Sequence, residues 1–167
     1  MPADITPLPP AASECTLTHL MTAVDANLHG NIHGGVIMKL VDDAAGIVAA
    51  RHSGGRAVTV SMDEMVFLVP VHIGDLLNVR ARINWAGRSS MEIGARVEAE
   101  RWDEVGQPLL TSTAYLVYVA LDDEGKPRPV PPVDHATEVE QRRYNEAEIR
   151  RRHRLARRDE IERSRHK

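Results

Sequence analysis

The chain has 167 residues, a length that suits one hydrophobic core and leaves little for a second. A net charge of −3 lacks the basic footprint of general nucleic-acid binding, and a single cysteine, Cys15, excludes an internal disulfide framework and fits a reducing compartment. Aromatic residues make up only 4%, so Val, Ile, Leu, Met and Ala must supply the core.

Four of the first ten residues are proline, and residues 1–13 are expected to form a disordered or extended lead. This start has no basic cluster and no apolar stretch, so no secretory leader is expected. No apolar run reaches the roughly 18–20 residues of a membrane span, and the expected location is cytoplasmic. "CTLTHLM" alternates weakly and reads as a short strand. The polar, glycine-rich "ANLHGNIHGG" then leads into a helix expected over Gly35 to His52. Val36, Ile37, Leu40, Val41, Ala44, Ile47 and Val48 recur there at helical spacing, and "HSGG" ends it.

Four strands are expected next. "AVTVSMDEMVFLVP" is rich in β-formers and stops at Pro70. "GDLLNVRARINWAG" and "SSMEIGARVEAERW" alternate apolar and polar residues, as antiparallel strands with one wet face do. The link between them is short enough for a hairpin. "PLLTSTAYLVYVALDD" is apolar on both faces and is expected in the sheet interior. A single domain is thus expected over residues 14–133, followed by a proline-rich exit and a charged tail over 134–167. From Glu138 onward the tail reads as a solvated segment, helical or frayed, with one-turn pairs such as Glu146–Arg150, in preference to a functional basic arm. One helix covers only one face of a five-stranded sheet, so subunit association is expected to cover the other.

The helix carries two adjacent carboxylates, Asp42 and Asp43, about 100° apart on opposite margins of its apolar stripe. Periodicity alone reads both as surface carboxylates, one paired with Lys39. The preceding loop adds a functional reading. Gly34 and Gly35 let another group approach the backbone at a helix start, where free N–H groups suit a developing oxyanion. His29 and His33 have the spacing of helix-borne metal ligands, but Gly30 and Gly34 argue against a helix there, and no metal site is expected. No P-loop lysine follows the glycines and no GxSxG occurs, so chemistry rests on Asp42 or Asp43.

"NIHGGVIMKLVDDAAGIVAARH", "VTVSMDEMVFLVPVHIGDLL", "GRSSMEIGARVEAE" and "YVALDDEGKPRPVPPV" together resemble the hotdog-fold acyl-CoA thioesterases of the cytosolic acyl-CoA hydrolase (YciA-like) type. The resemblance spans residues 15–133 in order. It implies an α+β hotdog fold, a long central helix wrapped by an antiparallel five-stranded sheet, dimerising into a continuous double sheet. It further implies active sites at the dimer interface, hexamers built as trimers of dimers, and hydrolysis of acyl-CoA to fatty acid and free CoA. No cofactor is implied beyond coenzyme A as part of the substrate, and no nucleic-acid or membrane-spanning role. The resemblance places the catalytic carboxylate on Asp42 and its asparagine partner on Asn31. His33, Gly34 and Gly35 are expected to line the substrate, and the hairpin residues Arg88, Ser89 and Ser90 to meet the CoA moiety. Two rivals stay open at this point: an acyl-CoA-binding module without turnover, and a hotdog enoyl-thioester hydratase or dehydratase.

Overall fold

A computed structural model describes residues 5–103 and 106–165. Its strands are β1 (Cys15–Leu20), β2 (Ala57–Phe67), β3 (Asp75–Ala86), β4 (Ser90–Arg101) and β5 (Leu109–Ala120), with helices α1 (Gly34–Ser53) and α2 (Glu138–Arg165). The strands form one antiparallel sheet in the order β1-β3-β4-β5-β2, so β5 is interior and β2 is an edge.

The expected alternation places Leu77, Val79, Ala81 and Ile83 of β3, and Met91, Ile93, Ala95 and Val97 of β4, in one core with Ile37, Leu40, Val41, Ala44, Ala45 and Val48 of α1. Ala44, Ala45 and Ala49 of α1 are fully buried, and their small size lets the helix lie close to the sheet. At its C-terminal end, Gly55 N–H reaches Ala50 O at 3.0 Å and Gly54 N–H reaches Arg51 O at 3.3 Å, which is a Schellman closure. Gly54 holds φ at +70°, where a Cβ is strained even though the surrounding space is open. Gly54→Ala is therefore expected to cost about 1–2 kcal/mol in chemical denaturation. An unchanged midpoint would remove the strain argument.

Two expectations are corrected. The proline-rich lead is not disordered over residues 5–13. Leu8 N–H bonds Pro132 O at 3.0 Å, Asp134 N–H returns to Leu8 O at 2.9 Å, and Pro10 and Ser13 are buried. Both segments are proline-rich and extended, so each supplies the other's few backbone partners. Residues 1–4 lie outside the described residues.

The tail is the second correction. It is helical, one of its two readings, but it is not solvated throughout: α2 is continuous and docks on the outer face of the sheet. Thr137 and Glu140 form a capping box at its start, with Glu140 N–H to Thr137 Oγ1 at 3.2 Å and Thr137 N–H to Glu140 Oε2 at 3.0 Å. Arg82 of β3 bonds Glu140 at 2.6 Å, and Arg150 grips Glu92 of β4 with its shortest contact also 2.6 Å. Arg150 also lies 3.7 Å over the ring of Tyr115 on β5. The polar face of β3 and β4 is therefore not uniformly wet: Glu92 is 1% exposed. The chain itself covers part of the face that was assigned to a second subunit.

The edge strand β2 is irregular. Thr59 faces Tyr118 and Ser61 faces Val117, so Val60 is an extra residue; Met62 faces Leu116 and Glu64 faces Tyr115, so Asp63 is another. Each such bulge shifts which side chains point inward. Ala57, Met62 and Met65 pack on the core, and Thr59 reaches α1. The inward series thus runs 57, 59, 62, 65 instead of keeping a strict period of two.

Candidate active site

Asp42 is half-buried in the middle of α1 and faces β2 and β5. Its Oδ1 accepts from the Thr59 hydroxyl at 2.7 Å and from the Tyr118 hydroxyl at 2.7 Å. The Tyr118 hydroxyl also lies 2.9 Å from the main-chain carbonyl of Asp42, so its hydrogen is shared. Thr59 and Tyr118 are direct cross-strand partners, which is why the two hydroxyls arrive together. Burial first, and then the hydrogen bond and charge of Asp42 and the charge of Asp43, raise the Tyr118 phenol above its ordinary range, while a hydrogen bond with Thr59 acts the other way. The phenol therefore stays protonated near neutral pH and serves as a donor.

With both donors on Oδ1, Oδ2 of Asp42 has no partner among the described residues. A carboxylate fixed through one oxygen and open at the other can take a proton from water or attack a carbonyl. Asp43 differs. It is exposed and paired with Lys39 at 2.6 Å, one turn away. Sequence reasoning missed Thr59 and Tyr118. The signal lay in polar side chains within strongly apolar β-segments, but linking them to Asp42 needs the β2–β5 register.

The loop before α1 holds the other candidates. His33 is the N-cap of α1: its Nδ1 accepts from Gly35 N–H at 3.0 Å. Gly35 N–H is thereby engaged, whereas Gly34 N–H has no partner among the described residues. The Phe67 ring lies 3.4 Å from where a Cβ would sit on Gly34, so glycine keeps this approach open to the ring. Asn31 forms a bridge with His72, and its side chain makes no hydrogen bond among the described residues. Asn27 is held more firmly. Its Oδ1 accepts from His29 N–H at 2.8 Å and Asn31 N–H at 3.3 Å, which leaves its NH2 group as a fixed donor.

Neither asparagine reaches Asp42 in the same chain. Asp42 is eight residues beyond the helix start, a rise of about 12 Å. The Arg88–Ser90 hairpin lies at the other end of the sheet, where Ser90 pairs with Val119 and Met91 with Tyr118. Arg88 is exposed, and the hairpin is held by Gly87 N–H to Ser90 O at 2.8 Å and Val130 N–H to Arg88 O at 3.0 Å. β3 runs from the His72–Asn31 end of the sheet to this hairpin, roughly 36 Å over its length. The structure brings Asp42, Thr59 and Tyr118 together; within one chain it separates the Asn31–Gly34 loop from the Arg88 hairpin. Among the described residues, no three His, Cys, Asp or Glu side chains are grouped to hold a metal.

A long helix wrapped by an antiparallel sheet in this strand order is a hotdog fold. Known proteins agree. The thioesterase superfamily model matches residues 29–105. A Bacillus subtilis protein described as an uncharacterised acyl-CoA thioester hydrolase is 39% identical over 135 residues, 81% of this chain and 78% of that one. The mouse cytosolic acyl coenzyme A thioester hydrolase is 40% identical over 80% of this chain. The chain spans about a third of that longer relative, 35%. Among solved structures, an acyl-CoA hydrolase from Staphylococcus aureus with an asparagine replaced by alanine and coenzyme A bound is 35% identical, with a TM-score of 0.89 over 96% of each chain. A hexameric acyl-CoA thioesterase without ligand has a TM-score of 0.87 at 35% identity, covering 92% of this chain and 97% of that one. The chain belongs to the thioesterase superfamily.

Proposed function

We propose that this protein hydrolyses acyl-CoA thioesters to a fatty acid and free CoA, with Asp42 as the catalytic carboxylate. The observation that carries the reading is the one-sided hold on Asp42: Thr59 and Tyr118 fix Oδ1 and leave Oδ2 open. As a general base, Oδ2 takes a proton from water while the water oxygen adds to the thioester carbonyl. As a nucleophile, it adds directly and water later cleaves the anhydride. In either route the C–S bond breaks and the thiolate leaves without a strong acid, because a thiol pKa near 8.5 makes it a competent leaving group. Gly34 N–H of a second copy, at the positive end of that copy's α1, stabilises the oxyanion.

The site is completed by a second copy. β2 presents an unpaired edge, with Val58, Val60, Val66 and Phe67 exposed. On α1, Met38 and Ile47 flank Asp42 and are also exposed. Pairing of β2 with its counterpart in a dimer covers this surface and brings a partner's loop to Asp42. The hexameric relative supports assembly of such dimers. The asparagine on that loop is Asn31 or Asn27. Variants of the Staphylococcus aureus hydrolase replace an asparagine fifteen positions before an aspartate, and a threonine seventeen positions after it. Asn27, Asp42 and Thr59 stand at the same spacing here. Together with its fixed NH2 group, this favours Asn27 as the residue that polarises the carbonyl or orients water. Arg88, Ser89 and Ser90 are kept as the contact to CoA, reached from the other end of the sheet. His33, the base a hydratase would require, spends Nδ1 on its helix cap. A cytoplasmic site of action is supported by the mouse relative's description.

Free-thiol release from short, medium and long acyl-CoAs tests the reading, run with wild type, Asn27→Ala and Asn31→Ala. Turnover by wild type and a loss of roughly tenfold or more in Asn27→Ala are expected, with a smaller effect in Asn31→Ala. The reverse ranking restores Asn31 to the role. No thiol from any acyl-CoA would leave a binding module.

A further inference from the structure

We infer that Arg154, on the C-terminal helix, is a positioning residue for the active site: it fixes the bulged segment of β2 that aims Thr59 at Asp42. This rests on Asp42 being the catalytic carboxylate. Thr59 directly precedes the first extra residue of β2, Val60, and the second, Asp63, comes three positions after Val60. Ser61, between the two, and Asp63 point outward, away from α1. The Ser61 hydroxyl donates to Asp63 Oδ1 at 3.3 Å, and the guanidinium of Arg154 bonds Oδ2. One carboxylate therefore ties across the bulged turn of the strand and anchors it to α2. The pair is largely buried, with Asp63 10% and Arg154 21% exposed.

Within one chain β2 has a sheet neighbour on one side only, and its register against β5 shifts twice in the segment around Thr59, so that segment depends on contacts outside the ladder. The register matters because only Thr59 offers a hydroxyl opposite Tyr118. A slip of one residue puts Val58 or Val60 there, and Asp42 loses one of its two side-chain donors. Without Arg154, Asp63 is a largely buried carboxylate with only the Ser61 hydroxyl as donor, and turning out to water relieves it. That rotation unwinds the bulge and carries Thr59 away. The charged tail thus acts on the reaction from the opposite face of the sheet, without touching substrate.

The experiment is steady-state thiol release by Arg154→Met, Arg154→Lys, Thr59→Val and the Thr59→Val/Arg154→Met double variant, with Asp42→Ala as reference. Thr59→Val is expected to lower kcat about tenfold, as loss of a hydrogen bond to a charged group does. Arg154→Met should lower kcat by a similar factor while KM stays within about twofold, and Arg154→Lys should recover most of it. The double variant should be no slower than Thr59→Val alone, because both changes remove the same contact. Wild-type kcat in Arg154→Met, a loss that appears in KM, or losses that multiply in the double variant would each overturn the inference. Should Arg154→Met fail to fold, Asp63→Asn/Arg154→Met leaves no buried charge and carries the same comparison with Thr59→Val. Full activity in Asp42→Ala removes the catalytic reading itself; an inactive Asp42→Ala beside a fully active Arg154→Met removes only the role of Arg154.

Discussion

Asp42→Ala is expected to lower thioester hydrolysis by roughly 10²–10⁴-fold, about 3–5 kcal/mol of barrier, while the protein stays folded. Both halves follow from the site. The open Oδ2 is the proton acceptor or nucleophile, and no other carboxylate of the chain contacts Thr59 and Tyr118 among the described residues. Folding survives because alanine is the strongest helix former and Tyr118 keeps a partner, the main-chain carbonyl of residue 42 at 2.9 Å. Asp42→Asn separates chemistry from packing. Its amide oxygen still accepts from both hydroxyls, yet it neither takes up a proton at neutral pH nor attacks a carbonyl efficiently, so it should be nearly as inactive as the alanine variant. Asp43→Ala removes only an exposed pair with Lys39 and should change stability by no more than about 0.5 kcal/mol. Thiol release ranks the three variants. A larger loss in Asp43→Ala than in Asp42→Ala would move the chemistry one residue along the helix.

The largest stability effect is expected at Arg150. Glu92 is 1% exposed and receives Asn84 Nδ2 at 3.2 Å and both Nε and Nη2 of Arg150, the closest at 2.6 Å. Arg150→Met keeps an apolar stem over Tyr115 but leaves a carboxylate in the interior with one weak donor. Breaking such a pair from one side costs about 3–5 kcal/mol. Urea denaturation at a fixed protein concentration should show it, since association also contributes to the midpoint. Glu92→Gln/Arg150→Met removes the stranded charge and should regain most of the loss. A single-variant loss under about 1 kcal/mol would mean that α2 shifts or water enters to solvate Glu92.

Local pattern made much of this molecule readable. The α1 stripe, the alternation of β3 and β4, the doubly apolar β5 and the hairpin at Gly87–Ser89 are short-range periodicities; α1, β3 and β4 formed within a residue of expectation, and β5 ended three residues early, at Ala120. The pairing of Lys39 with Asp43 is likewise a one-turn spacing. The tail was misread as solvated because its composition is that of an exposed helix, although Thr137 and Glu140 had the capping-box spacing of an ordered start. Nothing local in "EVEQRRYNEAEIRRRHRLARR" says that Arg150 and Arg154 face carboxylates 58 and 91 residues away. A charged side chain on a sheet looks solvated until its partner's address is known.

The sequence by itself determined the elements and their order along the chain, because periodicity is encoded locally, and its resemblance to a family pointed to the hotdog fold and to Asp42 rather than Asp43. Only the tertiary structure decided which oxygen of Asp42 is held and by what. That arrangement needs two bulges in β2, the β2–β5 register and a helix docked from the far side, and side chains distant in sequence meet through packing that no local pattern records.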